Sequence, residues 1–195
     1  MNYIIMADGK GNRWNNYQDK PKHFITVEGE TLLARTVRLV KQRDPQCKVY
    51  ITSHDPRYEV EGAIRHEPHH NVLEIDRFTE ELIEDNVCFL YGDTFYSEEA
   101  MDIITQTPAD SLLFFGNERS IVAIKVRDAA AFRYHVDRVR ELFTQGKIKN
   151  CKGWQVYQSF TGLQFDVKKI GEHYIYIKDE TRDFNSPEDL EKWKP

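Results

Sequence analysis

Short apolar segments alternate along this chain with segments in which apolar residues recur every three or four positions. The clearest apolar run is Val87–Tyr91, which stops abruptly at Gly92 and Asp93. A continuous apolar run of this length is typical of a strand covered on both faces. Strands that alternate with helices form a mostly parallel sheet, because parallel neighbours need a crossover connection. The sequence therefore predicts an α/β fold, a Rossmann-like sheet with helices on both faces.

The remaining elements follow from the same periodicities and from helix-start signals. Strands are expected over residues 3–7, 47–52, 63–65, 87–91, 111–115, 121–126 and 174–177. Helices are expected over residues 31–43, 71–85 and 128–145, after Ser97, and from Pro187 with Ser186 as N-cap. No repeat, low-complexity tract or linker divides the chain, so a single domain over residues 1–195 is expected.

Composition excludes several broad classes of function. The 27 basic and 32 acidic residues give a net charge of −5, which argues against a general nucleic-acid or membrane-surface binder. No apolar run approaches the roughly 18 residues of a membrane span, and the N-terminus shows no signal peptide. Cys47, Cys88 and Cys151 are odd in number and far apart, which favours reduced thiols and a cytoplasmic protein.

A glycine-containing loop follows the first predicted strand directly. Gly9 and Gly11 allow backbone N–H groups to approach an anion, and Lys10, Arg13 and Lys22 add positive charge. The loop matches neither the P-loop pattern nor the dinucleotide-binding fingerprint. On these residues alone, a phosphate-binding loop and a polar surface turn with scattered cations remain equally open.

The first 33 residues resemble the opening of the nucleotidyltransferases that have a GT-A-like fold. Three motifs of the family are matched in this sequence: the glycine loop by residues 6–13, the Pro-Lys motif by residues 21–24 and the Gly-x-x-Leu-Leu motif by residues 29–33. This family makes CDP-, UDP- and dTDP-activated sugars, alditols and phosphocholine, and residues 21–36 look most like its cytidylyltransferase branch. Asp8 departs from the pattern, because the family has a small residue there. A carboxylate at this position would repel a triphosphate unless it binds a metal or a base amino group.

Two acidic positions extend the resemblance to the middle and the end of the chain. Asp93 follows an apolar strand, and Gly92 would let the chain turn so that the carboxylate faces a ligand; the alternative, that Asp93 only caps the turn, is less favoured after a buried strand. Residues 183–190 are similar to the family's D-x-[DN]-[ST]-P-E-D-L segment, although Ser-Pro-Glu-Asp begins a helix whatever the function. The resemblance implies that Asp93 holds Mg²⁺ and that Asn185 and Asp183 form the second part of the metal site. Such hard oxygen ligands suit Mg²⁺.

The resemblance implies transfer of a nucleoside monophosphate, CMP favoured, from a nucleoside triphosphate to a small phosphorylated metabolite, with release of pyrophosphate. Arg13 and Lys22 are the implied catalytic residues: Arg13 holds the leaving phosphates, and Lys22 neutralises the α-phosphate. The implied nucleotide-binding residues are Ala7, Asp8, Gly9, Lys10, Gly11, Asn12, Arg13, Lys22 and Asp76. Candidate contacts to the acceptor phosphate are Lys125, Lys178 and Arg182, and Ser53 is a further candidate contact to the base.

The expected role is capsule or other cell-surface polymer biosynthesis, with a homodimer as an open possibility. Loss of the Lys22 side chain is expected to lower kcat about 100-fold at an unchanged fold. Two alternatives stay open. A molybdenum-cofactor guanylyltransferase has similar length, but its D-x-P is absent at residues 93–95. A non-catalytic nucleotide-binding regulatory domain of the same fold is favoured only by Asp8.

Overall fold

A seven-stranded sheet forms the centre of the structure, a computed structural model that describes residues 1–9, 11, 13–14, 17 and 20–193. Its order is β10-β8-β9-β6-β1-β4-β5. Only β9 among these strands runs antiparallel to its neighbours, so the sheet is mostly parallel, as predicted. The strands are β1 (Asn2–Met6), β4 (Val49–Thr52), β5 (Ile64–His66), β6 (Val87–Tyr91), β8 (Leu112–Gly116), β9 (Ile121–Val126) and β10 (Tyr174–Tyr176).

Helices cover the two faces of this sheet, and alternating side chains of each strand pack against them. Tyr3 and Ile5 belong to the core that contains α1 and α2, whereas Ile4 and Met6 belong to the core that contains α3 and α4. The helices are α1 (Leu32–Arg43), α2 (Glu98–Gln106), α3 (Ala129–Thr144), α4 (Gly153–Thr161) and α5 (Pro187–Glu191). This arrangement confirms the predicted α/β fold class with helices on both faces.

Two small antiparallel sheets lie outside the central sheet, and the sequence analysis predicts neither. One joins β2 (Thr26–Val27) to β3 (Glu30–Thr31), and the other joins β7 (Thr94–Phe95) to β11 (Arg182–Asp183). Two-residue strands carry too little periodicity to be recognised in a sequence. The pairing of β7 with β11 nevertheless positions residues of the candidate site, because it holds the C-terminal segment beside the segment that follows β6.

A third, smaller core holds the two ends of the chain together. Trp14 of the glycine loop and Phe184 of the C-terminal segment are both buried in it, with Phe95 of β7. The Trp14 indole donates a hydrogen bond to the Lys20 carbonyl oxygen at 3.0 Å. Burial of these aromatic side chains fixes the glycine loop against the C-terminal segment, two parts of the chain that are far apart in sequence.

The prediction of a helix over residues 71–85 is wrong. The segment instead forms two short 3₁₀ turns, Glu74–Arg77 and Glu80–Leu82. The Asp76 carboxylate accepts hydrogen bonds from the backbone N–H groups of Val72 and Leu73 at 2.9 and 2.7 Å. A side chain that satisfies nearby backbone donors in this way competes with a regular helix.

The sequence analysis also misses α4. Its N-cap residue is Lys152, whose side chain makes no capping hydrogen bond, and its first turn contains no acidic residue. The usual start signals are therefore absent from the sequence. Among the described residues, no helix has the length and the apolar character that a membrane crossing requires.

Candidate active site

The carboxyl ends of β1 and β6 lie side by side and bring the glycine loop to Asp93. Met6 is paired with Tyr91, and the Gly92 N–H donates to the Met6 carbonyl oxygen at 3.0 Å. A Cβ atom on Gly92 would lie 2.8 Å from that same oxygen. Only glycine therefore lets the chain after β6 pass this close to β1, and this passage sets the position of Asp93.

Lys22 and Asp93 form a buried ion pair at this edge of the sheet. The Lys22 ammonium donates directly to the Asp93 carboxylate, and their side chains are 9% and 10% exposed. Burial alone would raise the pKa of Asp93, but the charge of Lys22 outweighs burial and lowers it below 3.8. Asp93 is therefore ionised at neutral pH although it is almost inaccessible to solvent.

Asp183 and Asn185 reach the same place from the C-terminal segment. Asp183 is paired with Thr94, and the Phe184 N–H donates to the Asp93 carbonyl oxygen at 2.8 Å. Because side chains alternate along an extended segment, Phe184 points into the small core and its two neighbours point away from it. The Asn185 amide accordingly donates to the Asp183 carboxylate.

Arg13 connects the glycine loop to this pair. Its guanidinium donates to Asn185 Oδ1 at 2.9 Å. Gly11 has φ of +58°, a left-handed conformation that favours glycine. The fold thus brings together five predicted site residues that are up to 172 positions apart along the chain: Arg13, Lys22, Asp93, Asp183 and Asn185.

Arg77 is a cation of the site that the sequence analysis misses. Its guanidinium lies so close to the loop that a Cβ atom on Gly9 would be 3.2 Å from Nη2. The first 3₁₀ turn, which replaces the expected helix, carries Arg77 and Glu74 to the edge of the cleft. The Arg-Phe sequence at this position gives no recognisable motif, so only the turn geometry could have revealed this cation.

Asp8 does not face the cleft as an unpaired carboxylate. Asp8 Oδ1 accepts from the His54 backbone N–H at 2.9 Å, and Oδ2 accepts from the Asn71 amide at 2.6 Å. The His54 Nδ1 atom lies 2.6 Å from Oδ2 as well. Asp8 therefore joins the segments that follow β4 and β5, and its partners reduce the repulsion toward a phosphate that its charge would otherwise cause.

Several predicted site residues lie elsewhere. Asp76, predicted to contact the nucleotide, instead binds backbone amides and the Arg140 guanidinium, 3.1 Å away, and it lines neither cavity of the cleft. Lys125, predicted to contact the acceptor phosphate, is buried on β9 and donates to the Thr107 carbonyl oxygen at 2.6 Å. Both side chains satisfy buried backbone groups and are not available to a ligand.

The other candidates lie around the cleft or outside the described residues. Lys178 and Arg182 line a further cavity that also contacts Arg13, Asp183 and Asn185. Ala7 and Ser53 are buried beside the glycine loop. The predicted nucleotide-binding residues Lys10 and Asn12 lie outside the residues that the structure describes.

Two adjoining cavities form the cleft. The loop cavity, of about 260 Å³, is lined by Asp8, the glycine loop, Lys22 and Arg77. The large cavity, so called because it is the larger of these two, has about 480 Å³ and is lined by Asp93, Asp183 and the first turn of α4. The further cavity at Lys178 and Arg182 is larger still, at about 1060 Å³. Arg13, Glu74, Arg77 and Asn185 contact both cavities. The loop cavity is rich in cations and backbone amides, and the large cavity has the volume of a site for a small metabolite.

Asp93, Asp183 and Asn185 are residues of the cleft whose chemistry fits Mg²⁺. All three line the large cavity and offer hard oxygen ligands. The described residues contain no group of three or more His, Cys, Asp or Glu side chains suited to a metal. Mg²⁺ is commonly held by one or two carboxylates together with water and substrate phosphates, so two carboxylates and an amide suffice for it.

His23 provides a test of how deeply this edge of the sheet is buried. The imidazole lies 2.8 Å from the Tyr58 hydroxyl, and burial lowers the pKa of His23 to about 3 from 6.5. Between these pH values the unfolded chain binds a proton here that the folded chain does not. The free energy of unfolding should therefore decrease as the pH is lowered through this range, by up to about 1.4 kcal/mol per unit.

A His23→Gln variant should flatten this dependence, as measured by urea unfolding between about pH 4 and pH 7. The neighbouring Asp93 contributes little in this window, because its lowered pKa keeps it ionised there. Equal slopes for the wild type and the variant would mean that His23 takes up a proton in the folded protein.

The fold matches solved structures of nucleotidyltransferases. The CTP:phosphocholine cytidylyltransferase of Streptococcus pneumoniae superposes with a TM-score of 0.59 at 12% identity, covering 98% of this chain and 96% of that chain. The inositol-1-phosphate CTP transferase of T. maritima gives 0.59 at 13% identity, covering 97% and 91%. A CMP:2-keto-3-deoxy-manno-octonic acid synthetase in complex with CTP gives 0.61 at 13% identity, covering 98% and 95%.

This chain has the GT-A-like nucleotidyltransferase fold. The motifs before residue 33, at Asp93 and after residue 182 thus occur on the fold that their resemblance implies. No family model and no curated protein sequence matches the chain.

Proposed function

We propose that this protein is a cytidylyltransferase that transfers CMP from CTP to a small phosphorylated acceptor and releases pyrophosphate. The observation that carries the proposal is the convergence of Arg13, Lys22 and Arg77 with Asp93 and Asp183 at one edge of the sheet. Two anions must meet in this reaction, so its barrier is largely electrostatic and positional. A cleft that carries both fixed cations and metal-binding oxygens suits that requirement.

The loop cavity is suited to the triphosphate. The loop amides near Gly9 and Gly11, with Arg13 and Arg77, hold the β- and γ-phosphates and stabilise the leaving pyrophosphate. Lys22 neutralises the charge that grows on the α-phosphate, a role that suits a compact ammonium. The chain needs no nucleophilic side chain, because the acceptor phosphate is already ionised at neutral pH.

Asp93, Asp183 and Asn185 would hold Mg²⁺. Bound there, the ion would supply positive charge between the α-phosphate and the incoming phosphate. Lys22 neutralises Asp93, and Arg13 binds Asn185. Binding of the nucleotide with its metal therefore requires both cations to exchange a protein partner for a phosphate.

The proposal includes CTP as the donor and a role in capsule or other cell-surface polymer biosynthesis in the cytoplasm. Residues 21–36 support CTP by their resemblance, and the names of three similar structures include CTP or CMP. The alternative of a non-catalytic regulatory domain depended on Asp8, whose hydrogen bonds with His54 and Asn71 weaken that argument.

Pyrophosphate release tests this proposal directly. Each of the four ribonucleoside triphosphates is incubated with Mg²⁺, the protein and a set of phosphorylated alcohols, alditols and sugars. The expected result is Mg²⁺-dependent release that needs an acceptor and is fastest with CTP. Tight binding of a nucleotide without release in any combination would instead support the regulatory domain. Fastest release with GTP would favour a guanylyltransferase.

A further inference from the structure

We propose that Asp8 and His54 form a positioning pair for the triphosphate, and that His54 takes up a proton when a nucleoside triphosphate binds in the loop cavity. The pair holds the start of the glycine loop in place. The added proton cancels the negative charge of Asp8 as the phosphates enter the cavity. This inference rests on the proposed function, because it concerns nucleotide binding in the same cleft.

The carboxylate of Asp8 connects the glycine loop to two other segments. Its Oδ1 accepts from the His54 backbone N–H at 2.9 Å, and its Oδ2 accepts from the Asn71 amide at 2.6 Å. The same Asn71 amide donates to the Asp8 carbonyl oxygen, also at 2.6 Å. The Asp8 side chain is only 12% exposed. These contacts fix the place at which the loop leaves β1, and charge-assisted hydrogen bonds of this kind are strong.

The position of Asp8 also creates an electrostatic cost for an incoming phosphate chain. Asp8 lines the loop cavity together with Lys22 and Arg77. A carboxylate beside a triphosphate repels it, because like charges in a partly desolvated cleft interact strongly. Lys22 is already paired with Asp93, and Arg77 faces the phosphates in the proposed function. The cation that cancels this charge therefore has to lie against Asp8 itself.

His54 faces Asp8 in a form that can supply this cation. Its Nδ1 atom lies 2.6 Å from Oδ2 of Asp8. An ionised carboxylate only accepts hydrogen bonds, so Nδ1 carries the hydrogen and Nε2 is the free nitrogen of the neutral ring. The His54 side chain is 49% exposed, so the ring can exchange a proton with solvent. A proton added at Nε2 converts the neutral hydrogen bond into an ion pair without moving either residue.

The other charged groups around His54 have partners of their own. Asp55 and Arg57, in the same segment, pair with each other through two nitrogens of the guanidinium. Arg65 of β5 donates to the backbone carbonyl oxygen that precedes His54 and faces Glu67 at 3.6 Å. Of the charged side chains that the structure describes here, Asp8 is therefore the one that contacts the imidazole.

Two other groups beside the glycine loop are titratable, and neither changes charge between about pH 6 and pH 8. Burial lowers the pKa of His23 to about 3, so this ring stays neutral. Burial would raise the pKa of Asp93, but the charge of Lys22 lowers it below 3.8. An imidazole in contact with solvent normally changes charge in this range. A change in nucleotide affinity over this range therefore reports on His54.

Calorimetric titration of the wild type with CTP, and with the other three ribonucleoside triphosphates, tests the proposal without acceptor or turnover. Saturating Mg²⁺ keeps the phosphate chain ionised. The nucleotide that binds most tightly should bind about 5-fold more tightly at about pH 6 than at about pH 8, as expected if the complex favours the protonated imidazole about 10-fold. Titrations in buffers of different ionisation enthalpy should show net proton uptake. Equal affinity at both pH values, tighter binding at the higher pH, or no binding of any nucleotide would overturn the proposal.

A His54→Gln variant tests the residue. Glutamine keeps a side-chain N–H donor for Asp8 but does not titrate, so the affinity should be nearly independent of pH and close to that of the wild type at about pH 8. His69→Gln is the matched control, because His69 is 83% exposed and lines neither cavity of the cleft. The control should keep the wild-type pH dependence. The same pH dependence in His54→Gln would overturn the assignment of the proton.

An Asp8→Ala variant tests the positioning role. If Asp8 only repelled the phosphates, its removal would tighten nucleotide binding. Loss of the contacts with His54 and Asn71 should instead weaken binding about 10-fold at about pH 6, because the loop is no longer held in place. Asp110→Ala, at an exposed position before β8, is the control and should bind as the wild type does. Binding by Asp8→Ala as tight as that of the wild type, or tighter, would overturn the positioning role.

The two proposals fail in different ways. If a nucleotide binds with proton uptake that depends on His54, but no combination of substrates releases pyrophosphate, the proposed function is wrong and the positioning pair stands. If pyrophosphate is released with CTP while His54→Gln keeps the wild-type pH dependence of binding, the function stands and this inference is wrong.

Discussion

Replacement of Lys22 with methionine is expected to lower kcat at least about 100-fold and to lower the free energy of unfolding by about 3 kcal/mol. The loss of kcat follows from removing a fixed charge where negative charge develops in the transition state. The loss of stability follows because Asp93, 7% exposed, would be left buried without its partner, and either a buried unpaired charge or the uptake of a proton costs free energy. Steady-state pyrophosphate release and urea unfolding measure the two effects separately.

The double variant Lys22→Met with Asp93→Asn separates catalysis from folding. It removes both charges together, so it should recover most of the lost stability while remaining inactive. The sequence alone predicts that loss of Lys22 leaves the fold unchanged. Because Lys22 and Asp93 form a buried ion pair, we instead expect the single variant to be less stable than the wild type. Wild-type turnover in the single variant would contradict the role of Lys22, and a double variant as unstable as the single one would contradict the ion pair.

Gly92→Ala is expected to reduce activity at least about 100-fold and to destabilise the protein by about 2 kcal/mol. The new methyl group would lie 2.8 Å from the Met6 carbonyl oxygen and 3.2 Å from His23 Cδ2. The backbone after β6 must then shift, and Asp93 moves with it. Because catalysis depends on the placement of this carboxylate, a small displacement has a large effect on rate.

Gly171→Ala is the matched control for this substitution. A Cβ atom there would meet only the Tyr157 hydroxyl at 3.8 Å, an ordinary contact, and Gly171 lines neither cavity of the cleft. Activity and stability should stay close to those of the wild type. If Gly92→Ala behaved like Gly171→Ala, the close passage of β6 past β1 would not be what positions Asp93.

The core of the site could be predicted from the sequence because its residues lie in recognisable local patterns. Asp93 ends an apolar strand, and Asp183 and Asn185 precede a capped helix start. A resemblance to one family supplied the expectation that these segments meet. The physical cause of their meeting, burial of Trp14 and Phe184 in one small core, could not be inferred from local patterns.

The parts that the sequence did not reveal depend on contacts between distant or unpatterned residues. Residues 71–85 have helical periodicity, but the Asp76 carboxylate binds the local amides and Arg140 of α3, and two turns result. Arg77 reaches the glycine loop because of that break. The start of α4 has neither a side-chain cap nor an acidic residue in its first turn, so the sequence carries no signal for this helix.

Both cations of the cleft that flank the proposed metal ligands have protein partners: Lys22 forms an ion pair with Asp93, and Arg13 donates a hydrogen bond to Asn185. A divalent ion alone must compete with Lys22 for Asp93. A nucleotide offers that ammonium a phosphate in exchange, so the ion and the nucleotide should bind more tightly together than either does alone.

Anomalous diffraction from crystals grown with CTP and Mn²⁺, which takes the same oxygen ligands as Mg²⁺, tests the convergence of the site most directly. A single peak is predicted between Asp93 and the Asp183–Asn185 pair, beside the α-phosphate, with Lys22 turned toward that phosphate. A nucleotide bound away from the glycine loop, or a metal peak remote from Asp93, would contradict the account.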